Sequence, residues 1–249
     1  MSELELIIDL HLGSDRQGPG GDEETRLAIK LAGLEGRAGL AIADIGSGTG
    51  AAARMLARDL DAQVTAVDLF PEFLAELDAV AEAEGLSDRL TTVEASMEAL
   101  PFEDDQFDVI WAEGAIYNMG FKAGVEAWRR FLRPGGVLAV SELTWLTAER
   151  PDELQAHWDA AYPGVAPASA KMAVLERAGY APVGYFALPE RCWLENYYRP
   201  MQARFEAFLE RHANSDAARA VVDAERAEID LYERFSDFVS YGFYIARKP

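Results

Sequence analysis

Apolar residues come in two patterns along this chain, short unbroken runs and helical stripes, and over its middle the two alternate. LAIADI (40–45) is a short apolar run ending at glycines and predicts a buried strand, with a helix after it over AAARMLARDL (51–60). QVTAVDL (63–69) predicts a strand. PEFLAELDAVAEAEG (71–85) predicts a helix with Pro71 in its first turn and Gly85 past its end. RLTTVEA (89–95) and FDVIWAE (107–113) predict strands, VEAWRRFLRPGG (125–136) a helix closed by Pro-Gly-Gly, and VLAVSEL (137–143) the strand that follows. Such alternation implies a parallel sheet covered on both faces. Upstream, GSDRQGPGGD (13–22) is a loop and Glu23 to about Leu34 a helix. Downstream, 150–179 is expected to be helical and VGYFALP (183–189) a strand. A long helical segment is expected over roughly 195–235, where Phe205, Phe208, Leu209, Val222, Ile229, Tyr232 and Phe235 recur at three- and four-residue spacings. SYGFYIARK (240–248) predicts the final strand. The expected organisation is one domain over 1–249, with an N-terminal loop and helix over 1–37 and a helical elaboration over 190–239.

Composition narrows the function classes. Half of the 249 residues are hydrophobic, enough for a large core and too many for a disordered chain. Lys and Arg number 23 against 43 Asp and Glu, a formal charge of −20, which disfavours nucleic acid because phosphate neutralisation supplies most of that affinity. The single cysteine, Cys192, permits no intramolecular disulfide and fits a reducing compartment; the expected location is the cytoplasm. The opening MSELELIIDLHLG is acidic where a secretion signal is basic, and no run of about 18 apolar residues exists to span a membrane. Oligomeric state is not legible.

The sharpest motif is Asp44-Ile45-Gly46-Ser47-Gly48-Thr49-Gly50, between a predicted strand and a predicted helix. Glycines there let the chain turn tightly and let a ligand approach the backbone. Asp68 ends the next predicted strand, where a carboxylate can accept both hydroxyls of a ribose. Loop and acid together predict an adenosine-type ligand at the C-terminal ends of the strands. Gly46-x-Gly48-x-x-Ala51 also satisfies the dinucleotide pattern. Against a dinucleotide stand Asp44, better suited to an ammonium than to a pyrophosphate, and the want of a second substrate domain.

At these residues the sequence resembles the class I S-adenosylmethionine-dependent methyltransferases. Asp44-x-Gly46-x-Gly48-x-Gly50 is similar to their first motif and VTAVDL with Asp68 to their second; Ala95-Ser96-Met97-Glu98-Ala99-Leu100-Pro101-Phe102 matches a familiar third. Where many relatives carry an aspartate this chain has Ser96. Arg16-Gln17-Gly18-Pro19-Gly20, Glu113-Gly114-Ala115-Ile116-Tyr117-Asn118 and Leu188-Pro189-Glu190-x-Cys192-Trp193 resemble small uncharacterised bacterial methyltransferases. The resemblance implies a doubly wound, mostly parallel seven-stranded α/β sheet whose last strand, 240–248, is antiparallel and lies beside 183–189. It also implies S-adenosyl-L-methionine as cofactor. Asp44 and Gly46 would lie against its methionine part, Gly48 and Gly50 under the ribose, Asp68 on the ribose hydroxyls, Leu69 on the adenine face, and Ser96 and Met97 at the adenine edge, with Ser47 belonging to the same cofactor loop. Arg16 and Gln17 would close over it, and the loop Glu113 to Phe121 would face the methyl group.

Methyl transfer from a sulfonium is an in-line displacement with a neutral leaving group, so positioning and exclusion of water dominate. A base is needed only if the acceptor must lose a proton. Glu113 and Tyr117 are candidates, as is His11; His157 and His212 read as packing and solvated helix residues. Tyr117, Asn118, Phe121, Trp145, Trp193 and Tyr197 are candidate walls of an acceptor pocket, with Tyr198 beside them, since π faces suit a cation. No metal site is expected: there is no Cys pair and no His-x₃-His. The expected function is methyl transfer to a small molecule. The alternatives are an NAD(P)-dependent oxidoreductase and a protein that binds S-adenosylmethionine without catalysing transfer.

Overall fold

A computed structural model describes all of residues 1–249. Its centre is one sheet of seven main strands: β1 (Leu40–Ile45), β2 (Ala62–Asp68), β3 (Leu90–Glu94), β4 (Phe107–Ala112), β5 (Leu132–Trp145), β6 (Ala181–Ala187) and β7 (Val239–Arg247). They lie in the order β3-β2-β1-β4-β5-β7-β6, and a two-residue segment, Ala166–Pro167, pairs with the end of β5. β7 alone runs against the rest, antiparallel to both β5 and β6. The seven-stranded, mostly parallel expectation with an antiparallel last strand is therefore met. Order reverses at β1, which is flanked by β2 and β4, and a parallel sheet opens a crevice at such a switch point.

Two apolar cores cover the sheet. One face packs α2 (Asp22–Ala32), α3 (Ala51–Asp59) and α4 (Pro71–Ala83) through residues such as Ile29, Leu56 and Leu77. The other packs α5 (Phe121–Trp128) and α7 (Ala168–Arg177) through Val125, Trp128 and Leu175. Val64, Trp111 and Ala139 belong to the first core, while Ile45, Ile110 and Val140 belong to the second. Their strands are apolar on both sides because both sides are covered. No helix is long and apolar enough to cross a membrane.

Three elements depart from the sequence expectation. The predicted helix 125–136 starts earlier, at Phe121, and ends at Trp128; Leu132 already pairs with Phe107, so β5 begins before Pro134. Pro134 is tolerated because the β4–β5 register slips between Phe107 and Val109. The expected long helix is broken into α8 (Glu190–Trp193), a π-turn (Leu194–Tyr198), α9 (Arg199–Gln202), α10 (Phe205–Arg211) and α11 (Asp216–Phe235). Pro200 has no amide hydrogen to give the preceding turn, and Ala213 and Asn214, at φ of 52° and 51°, reverse the chain before α11. Last, Glu3–His11 is a helix, α1, where none was expected. Ser2 and Glu5 form a reciprocal capping box at its start. Asp9 on α1 takes an ion pair from Arg211 (2.7 Å) and contacts His212 Nε2 (2.8 Å), so His212 ties α10 to α1 instead of facing water. Across the C-terminal ends of the strands, α6 (Asp152–Ala161), α1 and the helices after β6 contribute the outer wall of one cleft.

Candidate functional site

The cleft holds about 790 Å³ and begins at the glycine loop. Gly46 and Ser47 donate backbone N–H groups to Val67 O (2.8 and 3.0 Å), folding the loop over the end of β2. Gly46 and Gly48 have φ of 74° and 54°. A Cβ on Gly46 would collide with Ala115, and one on Gly48 with Gln17 Oε1. Glycine is required at both positions by conformation and by close approach.

Three carboxyl groups converge here. Asp68 Oδ2 accepts from Gly48 N (2.8 Å) and Oδ1 from Phe70 N (3.0 Å), so the acid fixes the loop as well as lining the cleft. Asp44 is almost wholly buried, and its Oδ2 has no partner; neither has Ser47 Oγ. Burial first, then the charges of Glu113 and Asp68, hold the Asp44 carboxyl well above the usual carboxylate range. Glu113 is the third: its Oε2 accepts from Arg16 Nη1 (2.7 Å), and its Oε1 from Thr25 Oγ1 (2.7 Å) and Trp111 Nε1 (3.0 Å). Both Glu113 oxygens are thus engaged inside the protein.

The N-terminal loop lies over this floor. Gln17 Nε2 donates to Ser14 O and Thr49 Oγ1 (2.9 Å each), and Thr49 N donates back to Gln17 Oε1 (2.9 Å). Arg16 is engaged by Glu113 and Asp22 rather than solvated, and these partners raise its pKa against the opposing effect of burial.

The other expected residues divide. Leu69, Ser96, Met97, Tyr117, Asn118, Trp193, Tyr197 and His11 line the cleft with the loop residues. Ser96 Oγ accepts from Glu98 N (3.2 Å), and Met97 O accepts from Trp128 Nε1 (3.0 Å). His11 Nδ1 faces Ile7 O (2.9 Å), which can only accept, so the neutral ring donates there and its Nε2 accepts from Tyr197 Oη (3.2 Å). Burial lowers its pKa, favouring this neutral form. Four expected residues are not in the cleft. Phe121 packs in the core beneath α5, against Tyr244 and under the Lys171 ammonium. Trp145 is buried in the opposite core, with the Arg150 guanidinium over its ring (4.2 Å). Gly50, at φ 82°, starts α3, and Leu77 fills the space a Cβ would need. Tyr198 is buried behind the wall, donating to Glu228 Oε1 (2.8 Å).

Sequence reasoning missed much of the outer wall: Trp158 of α6 and Tyr162 just past its end, Glu225 and Glu228 of α11, and Tyr241 of β7. Tyr162 Oη reaches Glu142 Oε2 (3.4 Å), a buried acid paired with Lys171 (3.4 Å) and pushed up to about 7 chiefly by burial.

Residues 42–136 match the family model for a methyltransferase domain, the stretch that supplies Asp44, the glycine loop, Asp68 and Glu113. Over that stretch the chain is similar to a methyltransferase domain. Over 131 residues it is 36% identical to a malonyl-[acyl-carrier protein] O-methyltransferase of Enterobacter lignolyticus, covering 52% of this chain and 48% of that protein. Over 112 residues it is 32% identical to a sterol 24-C-methyltransferase of Gibberella zeae, covering 45% and 29%. The chain thus matches less than half the length of these curated relatives. In fold, a SAM-dependent methyltransferase from Geobacter sulfurreducens, solved with S-adenosyl-L-homocysteine, superposes with a TM-score of 0.86 at 21% identity over 98% of both chains. Asp44 and the glycine loop lie at the β1–β4 switch point, and the helices after β6 close the far side of the same cleft.

Proposed function

We propose that this protein transfers a methyl group from S-adenosyl-L-methionine to a small-molecule acceptor. The observation that carries the reading is the meeting of Asp44, Asp68 and Glu113 at the glycine loop, with Arg16 as the cleft's one cation and that cation already paired. Such a floor repels a pyrophosphate and suits a ligand that is cationic at its methionine end. The orphaned Asp44 Oδ2 and Ser47 Oγ supply polar atoms for that end, and Asp68, fixed by two backbone amides, stands where ribose hydroxyls would be received. Leu69, more than half exposed beside Phe70, offers an apolar face for the base.

When bound, the cofactor supplies an electrophilic methyl group on a good, neutral leaving group. The chain's part is to hold and shield. Gln17 and Arg16 keep the N-terminal loop over the glycines, excluding water. Glu113, fully engaged, keeps the segment Gly114–Asn118 at the cleft and acts as a positioning residue. Tyr117 and Asn118 face the acceptor side, and His11 holds Tyr197 in the wall. The strong negative charge and single cysteine support a cytoplasmic protein that does not engage nucleic acid.

Two measurements test the reading. Calorimetric titration should show S-adenosylhomocysteine binding and NADH not binding. Labelled methyl from S-adenosylmethionine should enter a small molecule of a metabolite extract. Binding of NADH alone would return the oxidoreductase; binding without any transfer would return a non-catalytic binder.

A further inference from the structure

The outer wall of the cleft has a chemistry that the cofactor does not explain. Tyr117, Tyr162, Tyr197 and Tyr241 line it with Glu225 and Glu228, one helical turn apart on α11. Glu225 makes no hydrogen bond and no ion pair within the protein, and Glu228 accepts only from Tyr198. Tyr241 is 6% exposed, and its hydroxyl has no partner although the residue borders the cavity. The carboxylates also lie close enough to the phenols to act on them: burial first, and then the charge of Glu228 among smaller contributions, raise the pKa of Tyr117, Tyr197 and Tyr241. No free cation faces this wall. Lys171 sits behind it, held by Glu142 and Gly164 O (2.8 Å). Leu4, Ile7 and Ile8 of α1 add an apolar side.

Resting on the methyltransferase reading, we propose that this wall is the acceptor site and that the acceptor is a small organic amine, bound as its ammonium between Glu225, Glu228 and the tyrosine faces. A carboxylate or phosphate acceptor would enter a field of unpaired negative charge, whereas an ammonium meets two anions, π faces and an unpartnered phenol oxygen. Its apolar body lies toward α1. For transfer, the ammonium gives one proton to ionised Glu225, which passes it to water. The freed nitrogen lone pair forms the new C–N bond as the methyl C–S bond breaks, the electron pair leaving on sulfur, and the product is an N-methylammonium. Burial and the charge of Glu228 push Glu225 up to about 7, suiting it to take that proton.

The test is calorimetric titration of the full chain, with and without saturating S-adenosylhomocysteine. The probes are benzylamine, N-methylbenzylamine and butylamine, against the neutral benzyl alcohol and butanol and the anionic benzoate and butyrate. At least one amine should bind ten-fold or more tightly than its neutral and anionic counterparts. Glu225→Gln and Glu228→Gln should each weaken that amine ten-fold or more while S-adenosylhomocysteine affinity stays within threefold. Tyr241→Phe, which removes only a hydroxyl, should weaken it threefold or more and covers the case of a poorly folded α11 variant. No binding by any amine, equal binding of alcohol or acid, or amine affinity unmoved in all three variants overturns the proposal. Failure of S-adenosylhomocysteine to bind refutes the cofactor reading instead, and the amine arm without it still decides the acceptor site.

Discussion

Arg16 Nη1 lies 2.7 Å from Glu113 Oε2, and the two side chains, each about 10% exposed, join the N-terminal glycine loop to the end of β4 across 97 positions of sequence. The pair is desolvated, and Thr25 and Trp111 complete the Glu113 shell. Removing one partner strands the other charge in low dielectric, which costs about 3–5 kcal/mol when a buried pair is broken. Arg16→Met should therefore destabilise strongly in urea unfolding and weaken S-adenosylhomocysteine binding, because the loop loses its anchor. The double variant Arg16→Met/Glu113→Gln should recover a large part of the stability, since no buried charge is left alone. A double variant as unstable as the single one would show that packing, not charge, is what the pair provides.

Asp68 fixes the glycine loop and is the proposed receiver of the ribose, and substitutions can separate the two roles. Its oxygens accept from Gly48 N and Phe70 N, so truncation to alanine also releases the loop. Asp68→Asn keeps the size and one of the two backbone acceptors, and removes the charge that would receive ribose hydroxyls. A charged hydrogen bond is worth about 1.5–3 kcal/mol, so S-adenosylhomocysteine affinity should fall about 10- to 150-fold by calorimetry. The melting temperature of Asp68→Ala should drop further than that of Asp68→Asn. Unchanged affinity in the asparagine variant would take Asp68 out of the binding site.

Gly48 offers a controlled comparison with Gly33. Both have positive φ, 54° and 67°, so alanine pays a left-handed backbone cost of about 1–2 kcal/mol at either. Around Gly33 a Cβ meets nothing within 4 Å, whereas at Gly48 it strikes Gln17 Oε1 and must displace the Gln17–Thr49 bonds. Gly48→Ala should thus lose more stability than Gly33→Ala and also lose S-adenosylhomocysteine affinity. Gly33→Ala should leave that affinity intact.

Asp44, the glycines and Asp68 were legible because their chemistry is local: a strand, its turn and the end of the next strand sit within 25 positions. Arg16 with Glu113, and Tyr117 with Tyr162, meet only once the sheet order is set, and no spacing announces that. From sequence, Phe121 and Trp145 read as cleft residues because both lie beside strand ends. Proximity to an end does not say which face is chosen, and both face a core. α1 was missed although Ser2 and Glu5 mark its start, because Asp9 and His11 interrupt its apolar stripe; in the fold they pair with α10 and the cleft wall.

Glu225 predicts a pH signature. Burial and Glu228 raise its pKa from 4.5 in the unfolded chain to about 7 in the fold. The native state therefore holds this proton more tightly, and the stabilisation is fully present below about 4.5 and lost as pH rises through about 7. Glu225→Gln has no such proton to lose. Relative to the natural protein, the variant should gain stability from pH 5 to pH 8 in urea unfolding and level off above. Glu142, also pushed up to about 7, is present in both proteins and cancels from the difference. A pH-independent difference would contradict the raised value.

Tyr117 and Asn118 separate acceptor contacts from cofactor contacts. Both line the cleft in the turn after β4, with Gly114 against Tyr241 behind them. Tyr117 is 37% exposed, and its ring meets Tyr162 edge-on at 5.8 Å, so its hydroxyl is not needed to hold the turn. Asn118 Nδ2 donates to Ala115 O (3.1 Å), a bond that Asn118 N also makes (3.1 Å), so the backbone retains the turn when the side chain is cut. A group acting on the acceptor slows transfer without changing how the product cofactor binds. Tyr117→Phe and Asn118→Ala should keep S-adenosylhomocysteine affinity within about threefold, under 1 kcal/mol. Tyr117→Phe should lower kcat/KM for the amine identified by titration about ten-fold, the loss of one hydrogen bond to a charged group. Asn118→Ala should lower it less, since its amide is spent on Ala115. If Tyr117→Phe instead weakens the cofactor and spares transfer, the segment after β4 serves the cofactor alone, and the acceptor contacts rest on α6, α11 and β7.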